Sequence, residues 1–177
     1  MDLQDFESQM LYFDKPMSEE IDRLLLEASK AYSEGNAEPI LLKAFAIEPE
    51  NLSVLVALYR FYYYQHRYPE AIDIAYQAMT VTAPMISFPD HWSEITMRHL
   101  GIGVMKSFTT VRFYLLALKG CAYLHLRMNK IDQGVRMLNK VIEMDSQDRL
   151  GAKGLLQAMG PAAIGGTDSV AVSATGV

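Results

Sequence analysis

The chain has 177 residues, half of them from the set AVILMFWYC and 21% charged. That is the length of one domain with short tails, and the balance of a folded globular chain rather than a disordered or fibrous one. A single cysteine, Cys121, leaves no internal disulfide and no zinc site built on several thiolates.

The start, Met1-Asp2-Leu3-Gln4-Asp5-Phe6-Glu7, is acidic and leads into no apolar run, so it does not read as a secretory signal. Nowhere do about 18 apolar residues run together, so no membrane insertion is expected and the expected location is cytoplasmic. The net charge of −5 is unevenly spread. Residues 1–105 carry seven Lys+Arg against sixteen Asp+Glu, and residues 106–153 carry nine against four. An acidic chain argues against nonspecific nucleic-acid binding, while the basic half either steers an acidic partner or simply faces the acidic half.

After an N-terminal segment, 1–17, residues 18–159 read as helix after helix. Ser18 is a good N-cap, and Glu19 and Glu20 follow in the first turn, where the helix dipole favours anions. That helix carries Ile21, Leu24, Leu25, Ala28 and Tyr32 at helical spacing and stops near Gly35-Asn36. A shorter helix covers about 37–47, before Pro49. Asn51 caps the next, about 52–65, and its partner runs about 68–82, with Pro69 in its first turn and Pro84 beyond its end. An irregular insertion, 85–106, breaks the pattern. Within it Ser87-Phe88-Pro89-Asp90 reads as a helix start and Gly101 and Gly103 as its end. Helices follow at about 107–127 and 131–144, joined at Asn129, and a last one at about 148–159, weakened by Gly151 and Gly154. Residues 160–177 are small and aperiodic and read as a disordered tail.

Three segments end alike: Leu42-Lys43-Ala44-Phe45-Ala46-Ile47-Glu48-Pro49, Tyr76-Gln77-Ala78-Met79-Thr80-Val81-Thr82-Ala83 and Asn139-Lys140-Val141-Ile142-Glu143-Met144-Asp145-Ser146. The first two stand 34 residues apart and the last two 63. The first spacing is the period of the tetratricopeptide repeat, and the second is near twice it. The unit 52–84 resembles that family best, with Leu55, Leu58 and Tyr62 on its first helix and Ala71, Ala75 and Ala78 on its second. The unit 115–148 is similar at Leu118, Cys121, Ala122, His125, Gly134 and Val141, and the unit 18–51 at Leu24, Ala28, Gly35, Ala44 and Pro49. The resemblance implies an all-α, right-handed stack of antiparallel helix pairs, a TPR-like α-solenoid of about three repeats disturbed in the middle.

In that family the first helix of each pair lines a concave groove. Carried over by register, the groove residues include Tyr32, Arg60, Tyr63, Tyr64, Lys119, Tyr123 and Arg127. Tyr and Arg are enriched at binding hot spots. Leu25 and Ser29 stand where some members place a Lys and an Asn to clamp a terminal carboxylate, which argues against a clamp of that kind. The implied ligand is a protein or peptide segment, an acidic one being the best match to the cations. The competing reading of the same tyrosines is internal packing, with the groove filled by the protein itself.

No catalytic motif is present: no phosphate-binding glycine loop, no nucleophile elbow, no His-Glu-x-x-His. His91, Glu94 and His99 form the one local cluster with a metal-like composition, and Glu94 pairs more naturally with Arg98 at i, i+4. Cys121 and His125 fall on packing positions, and Trp92 reads as an anchor for the insertion. The expected function is therefore non-catalytic, without cofactor or metal: an adaptor or scaffold binding a partner segment in its groove. The alternative is a dedicated assembly chaperone for one client, since small chaperones of type III secretion resemble this chain in size, acidity and repeat number.

Overall fold

The computed structural model describes residues 18–32 and 35–158. Among them are eight α-helices and no strand. The segment 1–17 and the tail 160–177 lie outside the described residues.

The first helix, α1 (Glu19–Ala31), starts where Ser18 Oγ accepts from the Ile21 N–H, and it buries Ile21, Leu24 and Ala28. Gly35 adopts φ +76°, a left-handed conformation that turns the chain back into α2 (Ala37–Ile47). Asn51 Oδ1 accepts from the N–H groups of Ser53 and Val54 and so starts α3 (Leu52–Tyr64). A turn with His66 at φ +57° leads to α4 (Tyr68–Thr82), whose Pro69 occupies the first turn. Two carboxylates tie these pairs together. Glu48 accepts from Ser18 Oγ at 2.6 Å and from Asn51 Nδ2 at 2.7 Å, which holds its carboxyl below the usual range. Glu38 receives Arg67 at 2.7 Å, and the same guanidinium reaches Glu70 at 2.9 Å.

The insertion departs from the sequence reading. Residues 87–90 open no helix. A 3-10 turn at Pro84–Ile86 ends at Ser87, with φ +56°, and a second one follows at Trp92–Glu94. Only after Thr96, whose hydroxyl accepts from the His99 N–H, does α5 (Met97–Lys106) begin. It runs through both glycines instead of ending there. A Cβ on Gly103 would stand 2.8 Å from Phe88 Cε1 and 3.1 Å from the Ile86 carbonyl oxygen, so this glycine serves close packing, not termination. Phe88, Trp92 and Ile95 are buried and hold the insertion to the core.

Ser107 separates α5 from α6 (Phe108–Arg127), and Asn129, at φ +60°, turns the chain into α7 (Ile131–Met144). The last helix, α8 (Ala152–Ala158), is shorter than its pattern implies. Residues 145–151 form a turn instead, in which Asp145 accepts from the Leu150 N–H at 2.7 Å and Asp148 and Gly151 take positive φ.

Packing follows chain order. α1 lies on α2, α2 on α3, α3 on α4, α6 on α7 and α7 on α8, while α4 lies directly on α6. The insertion is thereby excluded from the succession, with α5 resting on α6 and on the Pro84–Ile86 turn. One apolar core runs from Ile21 to Ala152, and a smaller cluster joins Leu52, Leu55, Ala78 and Phe113. Ala71 is fully buried, as the register requires.

Candidate functional site

Small side chains open the site. Ala28 and Ser29 of α1 and Ala57 of α3 leave an open cleft of about 530 Å³ between these helices, floored by Ala37 and Leu41. Leu25 and Tyr32 form one bank, and Arg60, Phe61 and Tyr64 the other. The Tyr32 ring meets Phe61 edge-on at 6.1 Å. Tyr32 and Tyr64 are each packed on one side, against Phe61 and Tyr63, and remain 43% and 37% exposed.

The cleft continues into an aromatic shelf. Tyr64 contacts Tyr63 at 5.3 Å, and Tyr63 stacks on Tyr59 at 6.2 Å. From Tyr63 the rings of Tyr123, on α6, and Tyr68, at the start of α4, lie 6.3 and 6.5 Å away. Such offset and edge-on pairs are favourable beyond their buried area. Arg127 covers this shelf. Its Nη1 donates to Tyr123 Oη at 3.0 Å, and its guanidinium lies 5.7 Å from the Tyr68 ring and 5.9 Å from that of Tyr123. This bond to Tyr123 raises the Arg127 pKa, so the charge is permanent.

Six of the register-derived residues thus come together in one wall: Tyr32, Arg60 and Tyr64 at the cleft, and Tyr63, Tyr123 and Arg127 on the shelf. Lys119 does not. It is only 7% exposed, and its Nζ donates to the Leu150 carbonyl at 2.5 Å. The turn before α8 covers it and takes the ammonium as a structural tie. The expected three cations of the wall are therefore two. Phe61 and Tyr68 were missed. Tyr68 had a signal, an aromatic directly across a short turn from Tyr63 and Tyr64.

The metal-like cluster does other work. His91 accepts from the Ser93 N–H at the second 3-10 turn, and His99 Nδ1 accepts from the Thr96 N–H at the start of α5. Ile95 is extended between them, so Glu94 and Arg98 share no helix and the i, i+4 pair does not form. Among the described residues no three His, Cys, Asp or Glu side chains gather as a metal site. No described helix is long and apolar enough to cross a membrane. Cys121 is fully buried, and burial pushes its thiol up to about 12, where almost no thiolate forms at neutral pH. His125 is 8% exposed and neither ring nitrogen has a hydrogen-bond partner; burial, then the nearby Lys130, holds its pKa below the ordinary value.

Among the described residues, fold and site define an all-α protein with an open, aromatic-lined cleft between α1 and α3. The chain belongs to the same family as an uncharacterized 19.8 kDa protein in the nifW 5′ region of Azotobacter chroococcum mcd 1, with which it is 48% identical over 159 residues, 90% of this chain and 89% of that one. No family model matches the sequence. No solved structure matches it.

Proposed function

We propose that the protein is a TPR-like helical-repeat adaptor of the cytoplasm, which does no chemistry and holds a segment of a partner protein in the wall formed by α1, α3 and α6. The three pairs α1–α2, α3–α4 and α6–α7 support the repeat reading, since each packs on the next and α5 stands outside. The observation that carries the functional reading is the continuity of cleft and shelf. Tyr64 lines the former and touches Tyr63 of the latter, so Tyr32, Tyr64, Tyr63 and Tyr123 offer one aromatic track with Arg60 and Arg127 along it. Large rings lose little entropy on binding, and guanidinium groups favour an acidic segment.

The relative's place 5′ of nifW makes products of that region the first partners to try. The test is capture by the full chain from the producing cells, compared among Tyr64→Ala, Arg60→Glu and Arg127→Glu variants. Loss of capture with unchanged melting supports the groove. Full capture in all three with unchanged melting overturns it.

The apolar part of the cleft also suits a chaperone that shields one client. Leu25, Ala28, Leu41, Ala57 and Phe61 line it and can accept the side chain of an unfolded segment. Deleting the protein would then make one partner insoluble, whereas an adaptor leaves its partners folded.

A further inference from the structure

The insertion turns its helix outward. Of α5, only Gly103 is buried. Met97 is 58% exposed, Ile102 39% and Met105 90%, and Phe108, one residue beyond the Ser107 that ends the helix, is 56% exposed. Singly exposed apolar residues are ordinary, but a contiguous group rimmed by charge marks an interaction site. Met97, Gly101 and Met105 fall at i, i+4 and i+8, on one stripe.

The two glycines of α5 differ. Gly103 faces inward and is required by Phe88 and the Ile86 carbonyl. Gly101 faces outward, and a Cβ there would meet nothing within 4 Å. A mid-helix glycine is about 1 kcal/mol worse than alanine, and no packing among the described residues accounts for this one. It leaves the backbone open to close approach in the middle of the exposed stripe. The rim is cationic. Arg98, Lys106 and Arg112 are exposed, and the sequence holds no Asp or Glu between Glu94 and Asp132.

We propose that the outer face of α5, with Phe108, is a second docking surface, which takes an acidic amphipathic helix of another protein. The apolar face of that helix covers Met97, Ile102 and Met105, its backbone approaches at Gly101, and its carboxylates meet Arg98 and Arg112. A symmetric contact between two copies is disfavoured, because it would set the cationic rims against each other. An anionic membrane is disfavoured by the net charge of −5 and by the few cations present. None of these residues lines the cleft or the shelf, so this surface stands or falls apart from the groove.

The test replaces Met105 with the photo-crosslinking residue benzoylphenylalanine in the full chain and irradiates the producing cells. Mass spectrometry then identifies the crosslinked segment. The expected result is one protein, joined within a helical segment with acidic residues beside apolar ones. Arg98→Glu combined with Arg112→Glu lowers the yield about tenfold, while the melting temperature is unchanged. The same probe in place of Tyr64 keeps its own crosslinks in that double variant. Crosslinks between two copies, to segments without acidic residues, or to no protein overturn the proposal. So does sedimentation of the protein with vesicles of phosphatidylglycerol and phosphatidylcholine that the double variant abolishes.

Discussion

The rings of Tyr63 and Tyr123 meet at 6.3 Å, tilted by 38°, and this contact joins α3 to α6 across the groove wall. It gives Tyr63 a packing role inside the protein, beside the groove role proposed for it. Tyr64 beside it is more exposed and touches the Tyr63 ring edge-on. Tyr63→Ala should therefore lower stability by about 2 kcal/mol and weaken partner binding as well, while Tyr64→Ala should weaken binding by about 2 kcal/mol and change stability little. Melting temperature and affinity measured on both variants check this. Equal loss of stability in the two would mean that Tyr64 is a packing residue.

Lys119 and Arg127 should separate in the same way. Lys119→Ala removes the donor to the Leu150 carbonyl and leaves that oxygen buried without it, which should cost about 1–3 kcal/mol. Arg127→Ala, at an exposed site, should cost less than about 1 kcal/mol. Thermal unfolding decides, and a more stable Lys119→Ala variant would contradict the tie to the turn before α8.

Gly134 lets α7 lie directly on α6. A Cβ there would stand 2.9 Å from the Ala122 carbonyl oxygen and would collide with Leu126. Leu126 can rotate, but the backbone oxygen cannot. Gly134→Ala should therefore be destabilising by about 1–2 kcal/mol in spite of alanine's better helix propensity, with a melting temperature roughly 3–6 °C lower. An unchanged or higher value would show that the two helices separate without cost.

His125 gives stability a pH dependence. Burial, then Lys130, keeps its folded pKa below the unfolded value, so the unfolded chain binds the proton first. Its contribution is complete above about pH 6.5 and is lost as pH falls through the folded pKa. Denaturant midpoints between pH 7.5 and 5 should decline in the wild type and flatten in His125→Leu. Parallel curves would assign the decline to other groups.

Cys121 should be inert in the native state. With the thiol pushed up to about 12 and no exposed surface, a disulfide reagent at pH 8 should react only after denaturant is added. Rapid native labelling would mean that α6 opens locally.

What the sequence determined was local. The helices at 37–47, 68–82 and 131–144 were readable to the residue, because caps and turns such as Asn51, Pro69 and Asn129 act on backbone groups only a few positions away. Helical register set Tyr123 and Arg127 on one face, four residues apart, while the resemblance to the repeat family supplied the groove positions that join them to Tyr63 and Tyr64. The insertion escaped that reading. Residues 87–96 are shaped by burial of Phe88, Trp92 and Ile95 in a core assembled from distant helices, and their own sequence carries no period. Register carried Lys119 to the groove, but a side chain's exposure depends on what packs over it, and the packing of residues 145–151 buries Lys119 and gives its charge a carbonyl to meet.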